Sequence, residues 1–314
     1  MTQDGLSPLV AMATIAPAIF YLHWPYLWHH PVDRTAWYLR FHATHNHYAW
    51  FYLGQLLRAP PFPLDYVLIK TALTVPTALF VPMVLGFIAA TWRMLKRRSM
   101  LLESLIVANA IVSIAIISHP QVPHFGGVKH WFPSMPFLAI LAASSIDRCA
   151  HVLSAFVKGR FGDARAILVQ PALALLTLSS GAIATARGYE FGTSAYSELA
   201  GGAPGAASLG MQRQYWANNL TGVLPWLNAN VRANDRIFLH ENHGGQISDY
   251  QRNGMLRSDL RFVGSAFEAD WVVYQYHQEF REHEFNAWQA FGTQKPVYGL
   301  YVDETPQIVV YKRR

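Results

Sequence analysis

The chain is poor in charge and nearly devoid of cysteine. Its one cysteine, Cys149, excludes an internal disulfide and any zinc site built on several thiolates. Charged residues make up 14% of the 314 positions, against about 25% in ordinary soluble domains. Long stretches have none: no Asp, Glu, Lys or Arg falls between Asp4 and Asp33, Lys70 and Arg93, Glu103 and Lys129, Lys129 and Asp147, or Arg165 and Arg187. The start MTQDG lacks the basic opening of a cleaved signal peptide, so the first apolar window reads as a retained span. There is no internal repeat, no glycine-rich phosphate loop and no nucleophile elbow.

What is present is apolar and aromatic. Hydrophobic residues reach 52%, with Trp 10, Tyr 15 and Phe 18. A helix that crosses a bilayer needs about 20 apolar residues. Five windows qualify, at 7–28, 67–92, 101–118, 134–150 and 166–186. From Gly188 onward charges return at soluble density. The expected fold is a multi-pass α-helical membrane protein of about five transmembrane helices over 1–187, followed by a small α/β extracytoplasmic domain over 188–314.

The net charge of +6 sits largely between the windows, where a topology rule accounts for it better than nucleic-acid binding does. The loop WRMLKRRS, Trp92–Ser99, has four basic residues and no acid. Residues 147–165 carry Arg148, Lys158, Arg160 and Arg165 against Asp147 and Asp163. Short basic loops stay in the cytoplasm. Both assignments agree with five spans, an inner N-terminus and an outer C-terminus. The outer loops are then 29–66 and 119–133.

The first outer loop is too aromatic to be a disordered linker. Trp37, Tyr38, Phe41, Tyr48, Trp50, Phe51 and Tyr52 suggest short interfacial helices. Pro60-Pro61-Phe62-Pro63 predicts an extended turn into the second span, which Pro76 and Pro82 should kink. Beyond the small-residue linker Glu198–Gly210, spacing predicts a helix from Tyr215 to Leu227. Strands are expected at 236–240 and 270–276, with a final hairpin turning at Asp303–Pro306.

Several polar side chains stand out against this background. His42, His45 and His47 sit at i, i+3 and i+5, so only the first two share a helix face. Imidazole suits zinc, which makes a divalent metal one reading. Direct contact with a phosphate or sugar is the other, and the lack of a usefully spaced carboxylate favours it. Arg34, Arg40 and Arg58 are the loop's other basic groups. Lys70 falls just inside the predicted second span, where an ionisable group is costly and marks function unless it snorkels to headgroups. Lys129 and His130 sit at the mouth of the fourth span. Together the lysines could hold a lipid-linked phosphate, because cations stabilise a leaving phosphate. Asp33 is the candidate general base; a surface pair with Arg34 or a helix cap is the plainer reading. His240, Glu241 and His243 form a polar loop that could hold a metal or sugar. A transporter ranks last, since apart from Asn109 and Lys70 the spans hold almost nothing polar.

The stretch HATHNHYAWFYLGQLLRAPPFPLDYVLIKTALTVP resembles the outer loop and following span of GT-C integral-membrane glycosyltransferases. It is most similar to bacterial protein O-mannosyltransferases and the aminoarabinose transferase of lipid A. The matching features are Tyr52, Gly54, Pro60–Pro63 and Thr74-Val75-Pro76. HFGGVKHWFPSMPFLAILA, YWANNLTGVLPWLNANV and YQRNGMLRSDLRF resemble later parts of the same group. The resemblance implies sugar transfer from a polyprenyl-phosphate donor to a protein, lipid or glycan outside the bacterial inner membrane. It also implies a catalytic Asp on an earlier outer loop. This chain starts where the family's later spans begin, so a partner protein supplying that half is expected, or else a non-catalytic relative of such enzymes.

Overall fold

The computed structural model describes residues 6–44, 47–98, 101–241 and 245–314. The chain divides into two compact units, 1–47 and 48–314.

The first unit is a helical hairpin. Helix α1 (Leu6–His23) leads through a tight turn at Pro25–Leu27 into α2 (Pro31–Ala43). Aromatic contacts close it: the Trp24 ring meets Tyr38 edge-on at 4.9 Å and Phe20 at 5.2 Å. Pro31 opens α2, a position where its missing N–H costs nothing.

The second unit opens with a hairpin of β1 (Trp50–Tyr52) and β2 (Gln55–Leu57). Leu53 and Gly54 both take positive φ, as a two-residue hairpin turn requires. Trp50, Phe51 and Tyr52 are buried. The short interfacial helix expected there is therefore a strand. Alternation cannot reveal it, because all three consecutive residues are apolar and buried.

The expected span 67–92 is two helices. α3 (Tyr66–Thr74) stops at Val75, which the following proline holds in extended geometry, and α4 (Thr77–Leu95) starts after Pro76. Pro82 lies inside α4. α5 (Leu101–Ile117), a 3-10 stretch at Gly127–Ser134, α6 (Met135–Phe161), α7 (Asp163–Ala166) and α8 (Val169–Gly188) follow.

Among the described residues three stretches are long and apolar enough to cross a membrane: Thr77–Leu95, Gly127–Phe161 and Asp163–Gly188. α5 and residues 12–23 of α1 are apolar but shorter. None of the most apolar window of Asp163–Gly188 is buried inside the protein, and Leu175, Leu176 and Leu178 are openly exposed. Such a face is stable only in an apolar surrounding. α4, α5 and α6 pack through Met83, Ala90, Val107, Ala110, Leu138, Leu141 and Ala142.

The remainder holds α9 (Gly202–Ser208), α10 (Leu224–Asn230), α11 (Gln246–Arg252) and α12 (Arg281–Phe291). The strands are β3 (Arg236–Leu239), β4 (Arg261–Val263), β5 (Trp271–Gln275), β6 (Tyr298–Val302) and β7 (Thr305–Lys312). They form one sheet in the order β4-β3-β5-β7-β6. β3 runs parallel to β4 and β5, and the β5–β7 and β7–β6 pairs are antiparallel. Alternate residues serve opposite faces. Ile237, Trp271, Val273 and Val310 pack with Leu224 and Leu227, while Phe238, Val272 and Tyr311 pack with Ala287 and Phe291. The expected strands and final hairpin are all present. The helix expected from Tyr215 starts only at Leu224, because residues 211–216 run as an extended strap and 218–222 form a 3-10 turn.

Candidate functional site

The site forms where α3, the loop ahead of α6 and the strap meet. α3 is fixed first. The Trp131 indole donates to Thr71 Oγ1 at 2.9 Å, and Phe62 N donates to Pro120 O at 2.8 Å. The carbonyls at the end of α3, which have no partner within a helix, are met by Ser197. Its Oγ donates to Ala72 O at 3.1 Å and its N to Leu73 O at 2.8 Å.

These bonds bring Tyr196 onto Lys70. The lysine is 2% exposed. Its Nζ donates to the Tyr196 hydroxyl at 2.7 Å, and that hydroxyl donates onward to Gln212 O at 2.5 Å. Nζ also lies 4.0 Å from the Tyr196 ring centre and 5.3 Å from that of Tyr215, close enough for cation–π attraction. Burial pushes the ammonium group down to about 7. Expected just inside the second apolar window, Lys70 lies on α3, ahead of the first membrane-length helix of this unit and not inside that helix. The same burial pushes the Tyr66 and Tyr196 hydroxyls well above their ordinary range, so they stay protonated and can donate.

Lys129 approaches from the neighbouring loop. Gly126 and Gly127 both take positive φ, which glycine alone adopts without strain. A Cβ on Gly126 would lie 2.5 Å from the Trp216 ring. With no Cβ there, Lys129 Nζ stacks over that ring at 4.0 Å. Lys70 and Lys129 thus line one cavity of about 570 Å³, with Val75, Val128, Phe132 and Met135 among its apolar walls. No carboxylate lines it among the described residues. Two cations, the Tyr215 side chain and greasy walls suit an anion that carries an apolar tail.

Only these two of the candidates named from the sequence converge. His130 donates from Nε2 to Phe125 O at 2.5 Å and so turns into its own loop. Arg58 is exposed just beyond β2, and His47 is exposed at the end of the first unit. Asp33 is exposed in the first turn of α2, where a carboxylate favours the helix dipole. Arg34 turns to the Tyr26 carbonyl and stacks on that ring at 4.6 Å, so the expected Asp33–Arg34 pair gives way to an aromatic contact. His42 belongs to α2, and its side chain, like His45 and His243, lies outside the described residues. Among the described residues no group of three or more His, Cys, Asp or Glu side chains is placed to hold a metal ion.

The strap MQRQYW, Met211–Trp216, is the part that sequence reasoning missed. Gln212 Oε1 accepts from Phe51 N at 3.0 Å and its Nε2 donates to Gln214 O at 3.1 Å. That carbonyl also accepts from His277 Nε2 at 2.8 Å. The His277 Nδ1 faces Glu241 at 3.3 Å and Glu279 at 3.4 Å. Burial opposes charge on this ring, but the two carboxylates outweigh it and push the imidazole up. Two glutamines and two aromatics directly after a small-residue linker were the available sign that this segment is packed and not free.

No protein-family model, no curated protein and no solved structure matches the chain.

Proposed function

We propose that the Lys70–Lys129 cavity takes the phosphate of a polyprenyl-phosphate-linked sugar. The protein is then a membrane glycosyltransferase of GT-C type, or the donor-holding part of one. The observation that carries this reading is the convergence of two cations, one of them fully buried, in an apolar cavity beside membrane-length helices. With α1 and α5 counted as short spans, the chain has five. The basic segments at 93–98 and 148–165 then lie inside, and the cavity and the sheet domain outside. An alkaline phosphatase fusion after Tyr196 that stayed inactive would overturn this orientation.

A buried ammonium group near neutrality is suited to the task. A phosphate arriving beside Lys70 offsets its desolvation and draws a proton onto it. Lys129 supplies the second cation, and the apolar walls hold the first units of the lipid. The test is binding of a polyprenyl-phosphate sugar by the full chain in lipid nanodiscs. Lys70→Met and Lys129→Met should each weaken binding about tenfold, the effect of losing one charge-assisted contact of about 1.4 kcal/mol. Unchanged affinity in both variants would sink the proposal.

A second reading is supported by the cavity's lack of a lining carboxylate among the described residues. Glycosyl transfer with inversion needs a base, so this chain would hold the donor while a partner protein supplies the acid–base group. Binding without turnover by the purified chain favours this reading; turnover by the chain alone removes it.

A further inference from the structure

The far end of the same helices holds a second cationic cavity. It measures about 420 Å³ and lies between the end of α4, the start of α5 and the middle of α6. Arg93, Arg98 and Arg148 line it, together with Glu103 and Ser144. Arg93 forms a forked ion pair with Glu103, with Nε 3.0 Å from Oε1. One carboxylate against three guanidinium groups leaves a net charge of +2. Leu102, Ile106 and Ile140 complete the wall, and Leu102 and Ile140 are well exposed on the outside of the bundle. Thr77, beside the Lys70 cavity, and Arg93 are sixteen residues apart on α4, about 24 Å along a helix. That approaches the ~30 Å of a hydrocarbon core.

We infer that this cavity binds the phosphodiester headgroup of an anionic glycerophospholipid of the leaflet opposite the Lys70 cavity. The inference rests on the membrane reading, and not on sugar transfer. Guanidinium forks match phosphate oxygens in pairs, which makes arginine better suited than lysine to a fixed phosphate. The Glu103 contact orients Arg93 and leaves Arg98 and Arg148 to face the ligand. The Ser144 hydroxyl adds a donor, and the exposed leucine and isoleucine guide the acyl chains along the bundle. Arg98 and Arg148 come from two segments that charge asymmetry assigns to the same side. A lipid bridging them would tie α4 to α6 at the end where no sheet domain holds them.

The experiment uses the full chain, delipidated in detergent, with lipid retention read by native mass spectrometry. Phosphatidylglycerol, phosphatidylcholine and soluble glycerol 3-phosphate are the three probes. Phosphatidylglycerol should be retained about tenfold over phosphatidylcholine, and Arg98→Gln/Arg148→Gln should remove that preference. Both side chains are exposed, so the fold should survive, as helical circular dichroism would verify. Salt gives a second measurement on the unaltered protein: raising it to about 0.5 M should weaken the preference. Equal retention of the two lipids, or a preference unchanged by the double substitution and by salt, overturns the inference. Equal competition by glycerol 3-phosphate overturns the lipid assignment in favour of a free phosphate. The same comparison in a Lys70→Met/Lys129→Met background separates the two cavities. If the preference disappears there, the lysine cavity accounts for it and this inference fails alone. If carbonate washing strips the chain from membranes, the membrane reading fails with it.

Discussion

Lys70 donates to the hydroxyl of Tyr196 across 126 residues of chain. The bond joins the helix that precedes the first membrane-length helix of its unit to the segment that follows the last one. The strap then passes the same hydroxyl's proton contact to Gln212, so the cavity and the entry to the sheet domain share one hydrogen-bonded chain.

Buried Lys70 should make stability rise with pH. Its ammonium group titrates at about 7 in the fold against 10.5 when unfolded. Between those values the unfolded chain binds the extra proton, so raising pH favours the fold. The full effect is roughly 5 kcal/mol at 1.36 kcal/mol per unit. Chemical denaturation followed by tryptophan fluorescence should show this rise between pH 7 and 10, and Lys70→Met should flatten it. A wild-type curve already flat there would contradict the buried, desolvated lysine.

His277 should act with the opposite sign. Both of its ring nitrogens face acceptors, the Gln214 carbonyl on one side and two carboxylates on the other. The ring is therefore held protonated above its ordinary 6.5. Its stabilising contribution is complete below 6.5 and is lost as pH rises through the higher folded value. His277→Gln keeps a donor but removes the charge, and should cost about 3 kcal/mol at pH 6. The cost should shrink above neutrality. A cost that does not change from pH 6 to 8 would mean that the ring is neutral in the fold.

Hydropathy located the membrane-length helices but placed Lys70 in a span, because a window average cannot see that Val75-Pro76 ends one helix and starts another. The same averaging hid the β1–β2 hairpin, whose three buried aromatics carry no alternation. The lysines themselves were legible, since a cation in an apolar stretch is costly wherever it lies. Tyr196, Tyr215 and Trp216 were not, because their role depends on a fold-back from residues far along the chain. Only packing reveals such a partner. The histidines near His42 drew attention by composition, whereas the cations that converge lie 59 positions apart, on either side of the basic loop at 93–98.

The α4–α6 contact depends on a glycine. A Cβ on Gly86 would sit 2.0 Å from the Leu141 carbonyl oxygen, a backbone atom that cannot rotate away. Gly86→Ala should force the helices apart and cost about 1–3 kcal/mol. Gly159, also helical, meets nothing within 4 Å, so Gly159→Ala should gain about 0.5–1 kcal/mol from helix propensity. Thermal unfolding of the pair in one detergent checks both, and equal behaviour would argue against the close helix crossing.

The last hairpin offers a simple stabilisation. β6 and β7 are joined by Asp303 and Glu304, whose φ angles are 44° and 63°. This is the primed turn that matches strand twist and prefers glycine at its second position. A glutamate there bears the left-handed penalty of about 1 kcal/mol, and its side chain is exposed, so no packing offsets that cost. Glu304→Gly should raise stability by about 0.5 kcal/mol once the extra flexibility of the unfolded glycine is subtracted. Asp303 is left in place because it lines a separate cavity near Arg187. A modest rise in the denaturation midpoint with an unchanged slope is the expected result. A fall would show that Glu304 makes a stabilising contact that outweighs its backbone strain.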